Sequence, residues 1–447
     1  MTARTPHPPG RARPARADGP ERPARFMTYR PSPVEAPTGR EACAACASHH
    51  LVLQRNNRWQ AMTDTLDRTR LSVASAGAAG AASAGPVGAD PVGVEAARDP
   101  GSRPDASPGR RLAGPRAEKG IALALQGGGA HGAFTWGVLD ALIEDGRLAF
   151  EAITGASAGA MNAVVMTHGW LKDGPEGARA QLEAFWREVS LDGDLPHSQQ
   201  RAFDGMLRLW RRTPLAEVWA SLASPYAANP LNINPLKRAL TDTVDFEALR
   251  RENAPPLFIS ATNVWTGKIA VFEGRDLTAD HVMASACLPT VFQAVEIDGV
   301  PYWDGGYLGN PPLYPLYHGA ETRDILLIQI NPVERRETPR TPQEIRDRLN
   351  EITFNGNLLR ELRAIDFVQG LVDEGALATE GYRPLRLHRI DGSGELDDYT
   401  AATKLKAQWP FLLRLRDAGR AAARAWLDQH FDAVGRESSL DLRAMYG

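Results

Sequence analysis

The chain has 447 residues, 43% of them hydrophobic, and its 51 Lys and Arg against 54 Asp and Glu give a net charge of −3. Three cysteines are too few for a disulfide scaffold and fit a reducing compartment, and no apolar run approaches the ~20 residues that a membrane-spanning helix needs. The near-neutral charge argues against an obligate nucleic-acid binder, so we expect no nucleic-acid partner. The low cysteine content leads us to expect a cytoplasmic protein.

Residues 1–118 are predicted to be a disordered, basic tail and linker rich in Pro, Ala and Arg. Nine prolines fall within residues 1–40, where they remove backbone donors and restrict their neighbours. Residues 73–118 have the Ala, Gly, Ser and Pro content typical of a flexible linker. Residues 1–119 hold 18 Lys and Arg against 11 Asp and Glu, a net charge of +7 that suits peripheral contact with an anionic surface. Met27 is an alternative start.

Two features inside this tail leave alternatives open. Residues 48–72 have the apolar spacing of one amphipathic helix, although the pattern slightly favours a marginal, largely disordered segment. Cys43 and Cys46, followed by His49 and His50, have the spacing of half a zinc site. Because no second cysteine pair follows, we expect no bound metal.

The first folded elements are predicted after residue 119. Ile121–Leu125 is an apolar run of the length of a buried parallel strand, and helical periodicity begins at Ala133. The loop between them has the sequence Gly127-Gly128-Gly129-Ala130-His131-Gly132. A glycine loop between a strand and a helix presents free N–H groups to an anion. The G-x-G-x-x-G spacing also fits a dinucleotide site, but the next strand ends in glycine where that site needs an acidic residue.

That next strand leads into a G-x-S-x-G motif. It comprises Gly155, Ala156, Ser157, Ala158 and Gly159, and a helix-forming apolar segment follows it. This is the strand–turn–helix context of a nucleophile elbow, in which the glycines make room for a sharp turn and the serine stands at a helix N-terminus. Ser157 is therefore the candidate nucleophile.

Asp304 is the candidate base. A short strand, an Asp298-Gly299 turn and a second short strand precede it, and Gly305 and Gly306 follow it. An aspartate at the end of a strand, next to glycines, can approach a neighbouring loop closely. Further strands are predicted at residues 257–263, 268–272 and 325–330.

These residues together resemble the patatin-like phospholipase family. The resemblance rests on the motifs at 127–132, 155–159 and 304–306, on Ala284–Pro289 and on Asn232–Leu236, and it covers roughly residues 119–332. It implies a three-layer α/β/α fold with a mainly parallel central sheet, a helical cap and C-terminal helices. We accordingly expect a hydrolase domain over 119–335, a possible cap over 185–240 and a helical C-terminal region over 336–447.

The resemblance also implies the chemistry. Ser157 would be the nucleophile and Asp304 the base of a Ser–Asp dyad, Gly127, Gly128 and Gly129 would supply the oxyanion hole, and a lipid ester would be cleaved without metal or cofactor. The chain has His131 where the family usually has Arg or Lys. Histidine provides a positive charge only conditionally near neutral pH, so this departure bears on phospholipid preference more than on hydrolysis.

Three other interpretations stay open at the level of sequence. A Ser–Asp–His triad would use His318, His388 or His430, each of which follows Asp304. An intracellular polyester would be cleaved by the same dyad as a lipid. A lipid-binding scaffold would need no chemistry, although the intact Ser157 and Asp304 argue against it. The oligomeric state is not indicated by the sequence.

Overall fold

One central sheet organises the part of the chain that the computed structural model describes: residues 111–190, 224–230, 232, 234–251, 254–376, 384–392, 394–396, 399 and 401–446. Its strands follow the spatial order β5-β6-β3-β2-β1-β7-β8, and β4 pairs with β3 outside this path. The bounds are β1 Lys119–Leu125, β2 Leu148–Gly155, β3 Leu257–Asn263, β4 Ile269–Glu273, β5 Val295–Ile297, β6 Val300–Asp304, β7 Asp324–Gln329 and β8 Arg386–Asp391.

The middle of the sheet is parallel and one side is antiparallel. Strands β3, β2, β1, β7 and β8 run parallel to their neighbours in that order, whereas β4 and β6 pair antiparallel with β3 and β5 pairs antiparallel with β6. The predicted mainly parallel sheet is therefore confirmed. Short apolar runs such as Ile121–Leu125 are buried on both faces, as strands of a parallel sheet are.

The helices have the following bounds: α1 Gly132–Asp145, α2 Ala158–Glu188, α3 Pro225–Ala228, α4 Pro235–Thr243, α5 Phe246–Arg251, α6 Ala279–Ser285, α7 Leu316–Gly319, α8 Pro342–Asp373, α9 Trp409–His430 and α10 Leu442–Tyr446. Helix α1 ends where Gly146 adopts a left-handed conformation. Helix α8 begins with a reciprocal capping box between Thr341 and Glu344. Local sequence thus accounts for where these helices begin and end.

Helices cover both faces of the sheet. Alternate residues of β1 belong to two separate apolar cores: Ile121 and Leu123 pack in the core that includes residues of α1, α2 and α9, whereas Ala122 and Ala124 pack in the core that includes residues of α8. Successive side chains of a strand point to opposite faces, so these two cores lie on either side of the sheet. This arrangement is the three-layer α/β/α fold that the resemblance implied.

The chain after residue 335 contributes to the same sheet and core. Strand β8 pairs with β7 along its whole length. Helix α9 packs so closely on α1 that the backbone of Arg416 leaves no room for a side chain at Gly137, and the backbone of Phe134 leaves none at Gly419. The C-terminal region therefore supplies a strand as well as helices, and both are joined to the central sheet and its core.

The ordered core also includes a residue upstream of β1. Leu112 is buried and exchanges two backbone hydrogen bonds of 2.9 Å with Phe150 of β2. Leu112 belongs to the segment that sequence analysis assigns to the tail. The folded part of the chain accordingly begins before residue 119.

Several sequence predictions concern residues outside the described part of the chain. These are the tail over 1–110 with Met27, the amphipathic segment 48–72, the Cys43 and Cys46 pair, and residues 191–223 of the possible cap. At the two ends of that cap, Trp186 is buried in the main core and Tyr226 is 59% exposed. Trp186 stacks on Trp136 and donates from Nε1 to Asn162 at 2.9 Å, so it belongs to α2 and its packing.

Candidate active site

The glycine loop and the G-x-S-x-G turn are neighbours because their strands are neighbours. Strands β1 and β2 run parallel with Leu125 opposite Gly155, so both strands end at the same edge of the sheet. Ligand sites of open parallel sheets lie outside the carboxyl ends of the strands. The topology therefore brings the loop at 127–129 and Ser157 together, as the motifs predicted.

Ser157 occupies a strained turn at the start of α2. Its φ of 52° and ψ of −122° lie outside the regions that side chains prefer. The backbone of Leu125 and Gln126 leaves no room for a side chain at Gly159, and the backbone of Gly159 and Ala160 leaves none at Gly155. The backbone N–H of Ser157 donates to the Ser285 hydroxyl at 2.9 Å, which ties the turn to α6. The glycines thus permit the turn and Ser285 holds it.

Asp304 ends β6 in a buried position. Its backbone N–H donates to Cys287 O at 2.8 Å, and its backbone O accepts from Thr262 Oγ1 at 2.9 Å. Its carboxylate Oδ1 accepts from Gly306 N at 2.7 Å. Among the described residues, no donor reaches its buried Oδ2 with normal hydrogen-bond geometry. The carboxylate therefore keeps one oxygen for another group.

The surroundings of Asp304 raise the pKa of its carboxyl. Burial is the largest cause and raises the pKa to about 7, while the Gly306 N–H, the Ser157 side chain and the positive charge of Lys404 each lower it in part. The Ser157 side chain thus lies near enough to the carboxyl to act on its ionisation. A carboxyl with a pKa near neutrality is suited to proton transfer at physiological pH.

The glycine loop is held by two asparagines. The Gly127 N–H donates to Asn310 Oδ1 at 2.7 Å, and Asn331 Nδ2 donates to Gly127 O at 2.7 Å. Among the described residues, no acceptor is bound to the N–H groups of Gly128 or Gly129. Of the three N–H groups predicted to form the oxyanion hole, that of Gly127 is therefore already hydrogen-bonded to Asn310. The N–H groups of Gly128 and Gly129 are available.

A buried network of amides supports this arrangement. Gln126 Oε1 accepts from the backbone N–H groups of Ile330 and Asn331 at 2.8 Å each. Gln126 Nε2 donates to Asn355 Oδ1 at 3.0 Å, and Asn355 Nδ2 donates to Pro332 O at 2.9 Å. The network connects β1, the end of β7 and α8 directly behind the loop. Buried amides with satisfied partners make such a site rigid.

His131 is buried and neutral. Burial, the largest cause, and the positive charges of Lys404 and Arg335 together lower its pKa to about 3. Its Nε2 lies 2.7 Å from Thr403 Oγ1. Of the other motif residues, Ala130 lies in a 3-10 turn at Gly129–His131 and Gly132 begins α1, while Ala156 and Ala158 flank Ser157 and Gly305 packs against Ser260.

Lys404 is a site residue that sequence reasoning missed. It lies in a short 3-10 turn at Ala401–Leu405, and its Nζ donates to Asn331 Oδ1 at 2.5 Å. Burial lowers its pKa to about 8, while Glu351, Asp347 and Asp304 act in the opposite direction. No sequence motif marks this lysine, because it lies in a connection between two helices of the C-terminal region. Asn331 was weakly indicated by the sequence, since it directly follows a predicted buried strand.

The three histidines of the triad interpretation do not meet the candidate nucleophile. No histidine of the described residues contacts Ser157 or contributes to the pKa of Asp304. His388 is buried with Nδ1 3.0 Å from Ser439 Oγ and Nε2 3.0 Å from Asp324 Oδ1. His318 lies in α7 and His430 ends α9.

Within the described ranges, no group of three or more His, Cys, Asp or Glu side chains is arranged to hold a metal ion. No helix in the same ranges combines the length and the apolar character needed to cross a membrane.

Comparison with known proteins finds a family match for part of the chain. Residues 123–317 match the family model described as patatin-like phospholipase. A search of curated proteins found no significant match. Among solved structures the chain is similar to VipD from Legionella pneumophila, with 17% identity over 69% of this chain and 68% of that chain and a TM-score of 0.28.

The chain is also similar to ExoU in complex with SpcU, from the type III secretion system of Pseudomonas aeruginosa. Two structures match at 19% and 16% identity, covering 72% and 75% of this chain and 63% and 77% of those chains, with TM-scores of 0.24 and 0.23. These TM-scores are low, and the family assignment rests on the sequence match. Residues 123–317 therefore form a patatin-like phospholipase domain.

Proposed function

We propose that this protein is a serine acyl hydrolase that cleaves the carboxylic esters of lipids through a dyad of Ser157 and Asp304. The observation that carries the proposal is the free Oδ2 of a buried carboxyl whose pKa is raised to about 7 and on which the Ser157 side chain acts. A buried, unsatisfied carboxylate oxygen is costly to the fold. A general base that must accept a proton from a neighbouring serine needs such an oxygen.

The reaction would proceed in two acyl-transfer steps. As Ser157 Oγ attacks the ester carbonyl carbon, its proton passes to Asp304 Oδ2, and the tetrahedral intermediate collapses with that proton leaving on the alcohol. Water then attacks the acyl-enzyme, giving one proton to Asp304 and its hydroxide to the acyl carbon. The carboxylic acid leaves, and Ser157 Oγ recovers the proton from Asp304. No metal or cofactor is needed for any of these steps.

The N–H groups of Gly128 and Gly129 are the proposed oxyanion donors. They carry no acceptor within the described residues, and they belong to the loop that faces Ser157 across the ends of β1 and β2. Loss of one such donor typically costs about 2.7–4 kcal/mol of transition-state stabilisation. The N-terminus of α2 adds its partial positive charge at the same place.

We further propose that the enzyme works in the cytoplasm at the surface of its lipid substrate. Ile345, Leu349 and Ile352 are 43%, 56% and 52% exposed at helical spacing on α8. These three side chains lie on the face of α8 opposite to Asp347 and Glu351, the residues that act on Lys404, so the apolar stripe faces solvent on the far side of the helix. Exposed apolar side chains in a row are typical of surfaces that contact lipid or protein.

The test is hydrolysis of a soluble p-nitrophenyl acyl ester by the full chain and its variants. We expect turnover by the wild type, and its loss in Ser157→Ala and Asp304→Asn. A fluorophosphonate probe, located by mass spectrometry, should label Ser157. Ser439→Ala and His388→Asn are matched controls, because they disrupt a serine–histidine–aspartate contact that lies apart from Ser157 within the described residues. Labelling of Ser439, or retained turnover in Ser157→Ala, would refute the dyad.

A further inference from the structure

We propose that Lys404 is a positioning residue of this active site, which orients Asn331 and through it the glycine loop, and whose charge faces Asp304. The inference deepens the proposed function and rests on it. It concerns a residue beyond the segment 123–317 that the family model matches. Lys404 acts in three steps: through the orientation of the Asn331 amide, through its charge and through the contacts of its turn with the loop.

The first step is the orientation of the Asn331 amide. Asn331 receives a hydrogen bond from Lys404 Nζ on Oδ1 and donates one from Nδ2 to Gly127 O. An ammonium group has only donors, so it requires the carbonyl end of the amide. Gly127 O requires the Nδ2 end of the same amide, so both contacts favour one orientation. Without Lys404, Oδ1 loses its donor and the amide can rotate away from Gly127 O. Lys404 therefore restrains Asn331 in the orientation that binds the loop.

The orientation of Asn331 bears on the N–H groups that the proposed mechanism uses. Asn331 binds the carbonyl of Gly127, and Asn310 binds its N–H. The carbonyl of Gly127 and the N–H of Gly128 belong to one planar peptide group. A rotation of that group would move the Gly128 N–H away from the position in which the oxyanion develops. Displacements of about 1 Å at such a site can cost on the order of 100-fold in rate.

The second step is the charge of Lys404. Its neighbours are Glu351 and Asp347 of α8, Arg335 and Asp304, and the acidic groups maintain its protonation against the effect of burial. The charge acts in turn on Asp304, where it lowers the pKa that burial raises. Cys287 and Tyr307 also face Asp304, and both stay neutral because burial raises their pKa to about 12. Lys404 is thus the cation whose charge favours the ionised form of the proposed base.

The third step is the contact of the whole turn with the loop. The backbone carbonyl of Lys404 packs on Gly129 and leaves no room there for a side chain, and Gly129 has a φ of 59°. Thr403 Oγ1 lies 2.7 Å from His131 Nε2. Residues 403 and 404 therefore contact the loop at Gly129 and His131 and, through Asn331, at Gly127. The turn forms a wall of the oxyanion loop.

The experiment compares Lys404→Met, Lys404→Arg and Lys406→Met in the full chain. Lys406 is an exposed lysine of the same segment, with its Nζ 4.9 Å from the centre of the Phe411 ring, and it serves as the matched control. Hydrolysis of the soluble ester is measured as kcat and KM from pH 5 to 10. Fluorophosphonate titration gives the concentration of competent sites, so that a partly unfolded variant is corrected for. Thermal unfolding is recorded in parallel.

Three results are expected if the inference holds. Lys404→Met should lower kcat per competent site by about 10- to 100-fold with little change in KM, because the proposed contacts act on the transition state. It should also move the acidic limb of the pH profile upward by about half a pH unit or more, because Asp304 loses a neighbouring cation. Lys404→Arg should keep the acidic limb and move the alkaline limb upward, since arginine stays charged.

Other results would overturn the inference. A Lys404→Met variant with wild-type kcat and an unmoved acidic limb would show that the lysine positions nothing. A lower kcat with an unmoved acidic limb, or an equal loss in Lys406→Met, would indicate a purely structural role. Absence of turnover and labelling in the wild type would overturn the proposed function itself, and the inference with it. The failure of one proposal is thus distinguishable from the failure of the other.

Discussion

The backbone N–H of Ser157 donates a hydrogen bond to the hydroxyl of Ser285, 128 residues later in the chain and 2.9 Å away. Ser285 is the last residue of α6 and is fully buried. The bond therefore joins the strained turn of the proposed nucleophile to the segment that leads to Cys287, whose carbonyl receives the N–H of Asp304. One hydroxyl thus relates the positions of the two proposed catalytic residues.

Removal of that hydroxyl should impair catalysis more than it impairs folding. Ser285→Ala leaves the Ser157 N–H without its acceptor, which we expect to lower the free energy of unfolding by about 1–3 kcal/mol. Because the turn also loses its restraint, kcat should fall by about tenfold or more. Ser190→Ala is the control, since Ser190 is also buried and donates to Arg187 O at 2.7 Å. Similar kcat losses in both variants would contradict the assignment.

The pH profile of kcat/KM should have an acidic limb near pH 7. Asp304 must be ionised to accept the Ser157 proton, and burial raises its pKa to about 7. The rate should therefore rise as pH increases through this value and level off above it. Steady-state hydrolysis of the soluble ester from pH 5 to 9 measures the limb. A limb near pH 4, the ordinary range of a carboxyl, would show that the base is solvated or is another residue.

Asp304→Asn should stabilise the fold at alkaline pH while it abolishes activity. The folded state holds Asp304 with a raised pKa, so the folded state binds more protons than the unfolded state between about pH 4 and pH 7. The stability of the wild type therefore decreases as pH rises through this window, by up to about 4 kcal/mol at about 1.4 kcal/mol per pKa unit. Asparagine is neutral and removes this dependence.

Urea unfolding of both proteins at pH 5 and pH 8 measures this effect. The gain in the free energy of unfolding from Asp304→Asn should be larger at pH 8 than at pH 5. Glu118→Gln is a suitable control, because it removes an acidic charge near the start of β1 and away from the site. An equal gain in the free energy of unfolding at both pH values would mean that the stabilisation by Asp304→Asn does not come from removing a buried charge.

An arginine in place of His131 should destabilise the protein. His131 is buried and neutral, with Lys404 and Arg335 acting on it as positive charges. A second cation in that position lacks a partner, and we expect it to cost about 3 kcal/mol or more in the free energy of unfolding. His318→Arg, at an exposed position of α7, is the control and should change little. Wild-type stability of His131→Arg would show that the pocket admits a charge.

The apolar stripe on α8 should matter for aggregated substrate alone. Replacement of Ile345, Leu349 and Ile352 by serine removes three exposed apolar side chains from the proposed lipid-facing surface. We expect the rate on ester-containing vesicles to fall by about tenfold or more and the rate on the soluble ester to be unchanged. Phe367→Ser is the control, since Phe367 is 66% exposed on the same helix about 20 Å further along. Equal losses on both substrates would exclude a surface-binding role.

Local sequence was sufficient to indicate the candidate site because the residues that mark it form short motifs. The strand before Gly127, the sharp turn at Ser157 and the strand that ends at Asp304 each depend on residues within about ten positions of one another. Glycines at 155 and 159 and apolar runs of strand length are visible in the chain itself. The parallel pairing of β1 with β2 then follows from the strand–helix alternation, and it brings two of the three motifs to one edge.

The partners of those motifs were decided by tertiary structure alone. Asn310 and Asn331 occupy the two sides of Gly127, Thr403 reaches His131 across 272 residues, and Lys404 reaches Asn331 across 73. None of these residues has a spacing or periodicity that marks it, because a buried hydrogen bond depends on which elements pack together. The sequence by itself therefore determined the motifs, the order of the elements and the family resemblance. Only the folded chain decided that the N–H of Gly127 is already hydrogen-bonded. It also decided that His131 is neutral and that the positive charge beside the glycine loop comes from Lys404, since burial and proximity set the ionisation of these side chains.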